Sequence, residues 1–262
     1  MTPIALMYHD VVPAGREDSS GFPGGDAARY KLTPGAFERH LRAIRAASAG
    51  RPTLTFDDGG ASAMRIAQSL EPYGWRGHFF VTAAYVDQPG FLTRAELRGL
   101  RARGHAIGSH SYSHPLRMAR CSVARLQDEW RRSVELLADV LGESIDLASV
   151  PGGHYSERVA ATAADAGIRT LFTSEPIARP RRRGALLVLG RYVVRRSTRP
   201  EVAATAAAGA FTPRLRQLAL WELKKVGKTL AAGPYFAIRD RLLGRSDRVR
   251  WGDQLPLSKH PS

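Results

Sequence analysis

Two short segments of the chain carry side chains that can bind a metal ion and hydrolyse a bond. Two neighbouring carboxylates, Asp57 and Asp58, follow the apolar run 53–56, and two histidines four apart, His110 and His114, come about fifty residues later. One carboxylate and two imidazoles form a ligand set that leaves a coordination position open. The second carboxylate is then free to act as a base. The pattern predicts a metal-dependent hydrolase.

Either segment alone has an ordinary explanation. Two histidines four apart are common by chance, and an Asp-Asp-Gly string can simply cap a helix or form a turn. Gly108 and Ser109 before the histidine pair, and Pro115 after it, indicate a strand-to-loop junction rather than a long helix. Two such junctions on one chain, each with side chains that can bind a metal, favour one shared site.

Short apolar runs alternate with helical patterns through the first two thirds of the chain. Repeated strand–helix units predict an α/β fold with a parallel sheet, open or closed into a barrel. The predicted strands are 4–8, 53–56, 78–82, 106–109, 145–150, 168–172 and, as the last, 186–189. The predicted helices are 34–48, 61–70, 93–103, 122–141, 156–166, 201–208 and about 214–230.

The candidate chemical groups all come directly after predicted strands. The aspartate pair at 57–58, the histidine pair at 110–114 and the string Pro151-Gly152-Gly153 each follow one. Parallel α/β folds place their sites at the carboxyl ends of the strands. The three motifs are therefore expected to meet at one end of the sheet.

Three strings resemble the motifs of a known family. Thr55–Gly59 and His110–His114 resemble the first two motifs of the polysaccharide deacetylases, carbohydrate esterase family 4, and Ser149–Gly153 resembles the third. The opening string Met7–Val11 is similar to the start of many members, and the resemblance covers about residues 1–190. It implies a distorted (β/α) barrel that removes an N-linked acetyl, or similar acyl, group from a sugar.

The resemblance also implies roles for the residues of the first two motifs. Asp57 would be the general base, and the metal ligands would be Asp58, His110 and His114. Zn²⁺ suits one carboxylate and two imidazoles, with Co²⁺, Ni²⁺ and Mn²⁺ as alternatives. The cofactor implied is thus a divalent metal, with zinc as the first choice.

The third motif would supply contacts to the substrate. Pro151 and Gly152 occupy its loop, and the Gly152 N–H would donate to the oxyanion of the tetrahedral intermediate. The family normally has an Arg at the start of this motif, which orients the base, and Ser149 stands there instead. The resemblance therefore does not identify the residue that orients Asp57.

The general acid is not assigned by the resemblance. Residues 171–175 replace the Asp and Trp of the fourth motif, and Leu189-Gly190-Arg191 replaces the acid histidine of the fifth. His9, which also follows a predicted strand, is the first candidate for the acid, and His154 is a weaker one. Arg191 is either a substitute for the missing arginine beside the base or an ordinary solvated charge.

Charge is unevenly distributed along the 262 residues, whose formal net charge is +15. Residues 1–178 contain 20 basic and 19 acidic side chains, whereas residues 179–262 contain 19 basic and 5 acidic ones. The contrast predicts two parts, a deacetylase-like catalytic domain over 1–197 and a basic helical extension over 198–262.

The basic extension predicts an anionic partner in addition to the saccharide substrate. No nucleic-acid-binding signature is present, so nucleic acid is not expected. The predicted helix at about 214–230 combines an apolar face with Arg and Lys, as helices at membrane interfaces do. An anionic membrane surface or a lipid-diphosphate-linked sugar is the expected partner, and packing of this helix on the body is the alternative.

Composition also bears on location. No run approaches 18 apolar residues, and the first residues lack the pattern of a secretory signal. The single cysteine, Cys121, excludes an internal disulfide. These features favour a cytoplasmic protein, free or held at the inner face of the membrane.

A non-catalytic saccharide-binding relative is the alternative to an enzyme. Such a protein would keep the cleft while losing the general acid and the arginine that orients the base. Acetate release from an N-acetylated saccharide distinguishes the two, because a binding protein releases none.

Overall fold

The computed structural model describes residues 4–47, 50–153 and 155–210, together with 212, 213, 215, 217 and 218. His154 and most of the predicted helix at 214–230 lie outside the described residues. The boundary between 197 and 198 stays a prediction. No helix in the described ranges is both long and apolar enough to cross a lipid bilayer.

Short strands and longer helices alternate along the chain, as the apolar pattern predicts. The strands are β1 (Ala5–Tyr8), β2 (Leu54–Phe56), β3 (Gly77–Val81), β4 (Ala106–Ser109), β5 (Leu147–Ser149), β6 (Thr170–Phe172), β7 (Arg181–Arg183), β8 (Leu186–Leu189) and β9 (Arg191–Val193). The helices are α1 (Gly25–Ala28), α2 (Pro34–Ala47), α3 (Ala63–Leu70), α4 (Arg94–Ala102), α5 (Val123–Leu141), α6 (Glu157–Asp165) and α7 (Pro200–Ala207).

Local signals account for the helix ends. Thr93 and Glu96 form a reciprocal capping box at the start of α4. The Ser122 side chain caps α5, and Gly142 ends it in the left-handed conformation. The predicted helices at 93–103 and 122–141 are confirmed to within a residue at each end.

The strands form one sheet in the order β7-β8-β6-β5-β4-β3-β2-β1-β9. Every pair is parallel except the antiparallel pair of β7 and β8. The helices that connect parallel strands cover the outside of the sheet, where their apolar faces pack with the outward side chains of the strands.

The segment formed by β8 and β9 closes this sheet into a barrel. Its first half pairs with β6, where Leu189 lies opposite Phe172, and its second half pairs with β1, where Arg191 lies opposite Ala5. Only Gly190 separates the two halves. Because one extended segment contacts both β6 and β1, the strands between them must curve around a common axis.

One sequence prediction about this region is wrong. Residues 186–189 are not the last strand, since β9 follows after one residue. The β9 strand is only three residues long, begins with an arginine and follows a glycine. Such a segment has too little apolar periodicity to be recognised as a strand from its sequence.

We expect Gly190→Ala to destabilise the protein. A Cβ at this position would clash with the backbone carbonyl oxygens of Glu175 and Ile177, so relief requires the chain itself to move. Overpacking of this kind costs about 1–3 kcal/mol, which urea denaturation would measure as a lower free energy of unfolding. Gly35→Ala in α2 is the control, because the nearest atom to its Cβ is the flexible Arg39 Nη1 at 3.7 Å. Equal stability of the two variants would contradict the tight closure.

Candidate functional site

The two aspartates follow β2 at the carboxyl end of the barrel. The Asp57 N–H donates to the Tyr8 carbonyl at 3.0 Å, which continues the pairing with β1. Asp58 has a left-handed φ of 76°. Successive residues of an extended strand face opposite sides, and the turn at Asp58 breaks that alternation. Both carboxylates therefore line the same cleft although they are neighbours in sequence.

The two histidines lie on a tight loop that follows β4. Ser111 and His114 both have left-handed φ angles, 62° and 57°. The Ser111 Oγ accepts a hydrogen bond from the His114 N–H, and the Ser109 Oγ accepts one from the Ser111 N–H, each at 3.1 Å. These side-chain acceptors satisfy the loop backbone and support a conformation that ordinary residues rarely adopt.

A buried glutamate on α5 fixes the rest of the histidine loop. Glu129 is 4% exposed, and its carboxylate accepts hydrogen bonds from the N–H (2.7 Å) and the hydroxyl (2.5 Å) of Ser113. Glu129 was not among the predicted site residues. Its position on the same helical face as Leu126 and Trp130 was the available signal, because an acidic residue on a buried face needs a partner.

Asp58, His110 and His114 bring three donor atoms together. The Asp58 Oδ1 lies 3.5 Å from the His110 Nε2 and 3.6 Å from the His114 Nε2, and all three donors lie within 4.8 Å of one another. Ligands held tetrahedrally at about 2.1 Å from one zinc ion are about 3.4 Å apart. The donors therefore fit a single divalent cation in both chemistry and spacing.

The protonation states of these donors suit a cation. Burial lowers the pKa of His114 to about 4, so its ring is neutral near pH 7 and has a free lone pair. Burial would raise the pKa of Asp58, but hydrogen bonding to His110 and electrostatic interactions with the surrounding histidines hold it well below its usual range. The His110 Nδ1 lies 2.5 Å from the Ser149 Oγ, and this contact orients the ring so that its Nε2 faces Asp58.

Arg191 holds Asp57 through a two-point ion pair. Its Nη1 donates to Asp57 Oδ1 at 2.6 Å and its Nη2 to Asp57 Oδ2 at 2.8 Å. The arginine is 0% exposed, its Nε donates to the Thr173 carbonyl at 3.1 Å, and its Nη1 also donates to the Thr55 hydroxyl at 3.0 Å. The interpretation of Arg191 as a solvated charge is wrong, and the alternative, an arginine beside Asp57, is confirmed.

Ser149 stands where the third motif has its arginine, and it also contacts Asp57. Its hydroxyl lies 3.3 Å from the Asp57 Oδ1. Burial would raise the pKa of Asp57, but the charges of Arg191 and His110 outweigh it, so that the pKa lies below its ordinary value. The Asp57 carboxylate is thus ionised at neutral pH, with Oδ2 3.9 Å from the His110 Nε2.

The other predicted site residues lie at different depths. His9 and Gly152 line the cleft, Gly152 with a left-handed φ of 59°. The His9 Nδ1 is buried with no hydrogen-bond partner among the described residues, and its ring centroid lies 4.8 Å from that of Tyr30. Pro151, in the same loop as Gly152, is buried and does not line the cleft.

The cleft has a volume of about 1080 Å³. Its floor contains the aspartates and histidines, and aromatic side chains form much of its wall: Phe22, Tyr30, Tyr85, Tyr155 and Tyr192. Pockets that bind small molecules are mostly apolar with a few convergent polar groups, and this cleft has that composition.

A buried lysine fixes the wall nearest to the histidine loop. The Lys31 side chain, 3% exposed, donates hydrogen bonds to the carbonyls of Glu17 (2.7 Å), Ser20 (2.6 Å) and Phe22 (2.6 Å). All three ammonium protons are satisfied in this way. The ring of Phe22 consequently stays 4.8 Å from that of His114. No sequence pattern identified Lys31 beforehand.

Sequence comparison points to the same family as the three motifs. The family model described as polysaccharide deacetylase matches residues 45–171. The peptidoglycan-N-acetylmuramic acid deacetylase PdaA of Bacillus subtilis is 31% identical over 125 residues, which are 46% of this chain and 45% of that protein. The chitooligosaccharide deacetylase of Sinorhizobium fredii is 29% identical over 142 residues, 52% of this chain and 63% of the relative. The chain spans less than two thirds of either relative.

Solved structures share the fold at low sequence identity. The Streptococcus pyogenes deacetylase PplD, in complex with acetate, superposes with a TM-score of 0.63 and 17% identity over 79% of this chain and 98% of that one. IcaB from Ammonifex degensii gives a TM-score of 0.65 and 19% identity over the same shares. The fold and the cluster define a distorted parallel barrel with a carboxylate–histidine site at its open end. Over residues 45–171, just under half of its length, the chain is similar to the polysaccharide deacetylase family.

We expect Arg191→Met to lower the free energy of unfolding by about 3–5 kcal/mol, because it leaves the Asp57 carboxylate buried without its partner. Urea denaturation at pH 7 measures the loss. The double variant Arg191→Met/Asp57→Asn removes both charges and should be more stable than the single variant. A single variant as stable as the wild type would contradict the ion pair.

Proposed function

We propose that the protein is a metal-dependent N-deacetylase that removes an acyl group, acetyl in the first instance, from an amino sugar. The observation that carries this proposal is the donor cluster of Asp58, His110 and His114, with spacings of 3.5 and 3.6 Å, beside an ionised carboxylate that the cluster does not need. Two relatives are named as deacetylases of saccharides, which supports the choice of substrate class.

Asp58, His110 and His114 would hold the divalent ion. When bound, such an ion polarises the acyl carbonyl and lowers the pKa of a water molecule. Asp57 accepts the proton of the attacking water, since it lies beside the cluster and is ionised at neutral pH. Arg191 engages both oxygens of Asp57, so it fixes the orientation of the base and favours its ionised form.

The remaining steps need a donor for the oxyanion and an acid for the leaving amine. The Gly152 N–H, on the loop that lines the cleft, donates to the oxyanion as the acyl carbon becomes tetrahedral. His9 donates a proton to the departing amine. Its place in the cleft and the lack of a hydrogen-bond partner for its buried Nδ1 among the described residues support this role.

The identity of the metal is a proposal in its own right. Zn²⁺ suits a site of one carboxylate and two imidazoles whose donor atoms lie this close together. Co²⁺, Ni²⁺ and Mn²⁺ accept the same donors, so the three are alternatives that a metal-replacement series would compare.

A non-catalytic saccharide-binding protein is the second candidate. It is favoured by Ser149 in place of the motif arginine and by the Leu189-Gly190-Arg191 string in place of the acid histidine. Arg191 weakens this candidate, because it supplies the orienting contact to Asp57 from a different strand. The cleft therefore retains a base with a fixed orientation.

We also propose a location and a wider substrate. The net charge of residues 179–262, with 19 basic and 5 acidic side chains, favours a cytoplasmic protein held at an anionic membrane surface. A lipid-diphosphate-linked sugar would then be a substrate within reach. Most of this basic extension lies outside the described residues, so both statements rest on the sequence.

Acetate release from an N-acetylated chitooligosaccharide tests the activity. The zinc-loaded wild type should release acetate, and Asp57→Asn should be at least about 100-fold slower, because a positioned base contributes that much. Zinc content, measured by mass spectrometry, should be unchanged in Asp57→Asn and lost in His110→Ala. Binding of the oligosaccharide without acetate release under all four metals would favour the saccharide-binding protein.

His9→Ala should lower kcat about tenfold or more, because the amine would leave without a proton donor. Zinc content should stay the same, since His9 is outside the ligand set. His78→Ala is the matched control, as His78 lies near the amino end of β3 and does not line the cleft. Wild-type turnover in His9→Ala would remove this residue from the mechanism.

A further inference from the structure

Three arginines between 191 and 196 differ in what they contact. Arg191 pairs with Asp57 at 2.6 Å, and Arg196 pairs with Glu17 at 2.8 Å. Arg195 is half-buried and lines the cleft. No carboxylate in the described part of the chain lies within 4.0 Å of its guanidinium.

The strand register places Arg195 at the level of His9. Met7 lies opposite Val193 in the parallel pairing of β1 with β9, and His9 and Arg195 each come two residues later. His9 lies one residue beyond the end of β1 and Arg195 two residues beyond the end of β9. Both residues line the cleft.

The backbone that carries Arg195 is held in place. The Arg195 N–H donates to the Thr198 hydroxyl at 2.9 Å, and the Thr198 N–H donates to the Arg195 carbonyl at 2.8 Å. The His40 Nε2 lies 3.0 Å from the Thr198 carbonyl, which ties the turn to α2. A charged group on a fixed turn loses little freedom when it binds a ligand.

Among the described residues, the charged group that lines the cleft without an ion-pair partner is therefore the positive guanidinium of Arg195. Of the carboxylates that line the cleft, Asp57 is paired with Arg191, Asp58 belongs to the donor cluster, and Asp26 is exposed at the outer edge. A neutral N-acetyl sugar offers no group that matches a guanidinium. The planar guanidinium of Arg195 instead suits the oxygens of a phosphate or a carboxylate.

We propose that Arg195 forms an anion subsite, which binds a phosphate or carboxylate group that the saccharide carries close to its N-acyl sugar. The proposal rests on the proposed function, because it describes the substrate of that same cleft. It makes the enzyme selective for anionic amino sugars over neutral ones.

Two probes that differ in charge test the subsite. We would measure Kd by calorimetry on the zinc-loaded full chain for N-acetylglucosamine 1-phosphate and for neutral methyl N-acetylglucosaminide. The anionic probe should bind at least about tenfold more tightly, which corresponds to about 1.4 kcal/mol. Arg195→Gln should abolish this preference, and 0.5 M NaCl should weaken it in the wild type.

Arg182→Gln is the matched control, since it removes the same charge from an exposed position on the edge strand β7, outside the cleft. It should keep the preference. Arg195→Lys keeps the charge without the planar fork and should show an intermediate ratio. Thermal melts of each variant verify that the protein is folded.

The outcomes separate the subsite from the activity. A wild type without preference, or an Arg195→Gln variant that keeps it, overturns the subsite; in the second case the donor cluster would be binding the phosphate. N-Acetylmuramic acid, which carries a carboxylate, shows whether the group can be a carboxylate instead of a phosphate. Acetate release is measured in the same samples. Its absence with both probes and with the N-acetylated chitooligosaccharide would overturn the proposed activity, while the ratio of Kd values still decides the role of Arg195.

Discussion

Arg191 and Asp57 meet in the interior of the barrel, where both are withdrawn from water and joined by two hydrogen bonds of 2.6 and 2.8 Å. Removing two charges from water costs several kcal/mol each, and mutual attraction offsets this only if the other donors are also satisfied. Thr55 and Thr173 accept hydrogen bonds from two of the three further Arg191 donors. The geometry of the Asp57 carboxylate therefore depends on the barrel that holds these four residues together.

The strand that closes the barrel consequently also brings Arg191 to Asp57. Arg191 is the first residue of β9, the strand that joins the β8 edge to β1. Gly190 passes so close to the 175–177 backbone that no side chain fits there. This close backbone packing at Gly190 positions the Arg191 guanidinium against the Asp57 carboxylate, which is 134 residues away in sequence. A looser closure would leave Asp57 buried and unpaired.

Much of the fold and part of the site could be predicted from sequence, for identifiable reasons. Asp57, Asp58, His110 and His114 were recognisable because their types and spacing are local, and the strands before them have clear apolar runs. Glu129, Lys31 and β9 were not predicted. Their roles depend on contacts across the fold, such as that of Glu129 with the histidine loop, and local periodicity does not contain this information.

The position of a residue in a motif is thus a weaker guide to an intact site than the contacts that side chains make in the folded protein. Ser149 in the arginine position of the third motif suggests a damaged site when the sequence is compared motif by motif. In the barrel, side chains from strands that do not pair with each other meet in the interior, so Arg191 on β9 reaches the Asp57 carboxylate that follows β2. The small serine leaves room for this and adds a contact of 3.3 Å to Asp57 and one of 2.5 Å to His110. An arginine on more than one strand of a closed barrel can therefore hold this carboxylate in a fixed, ionised state.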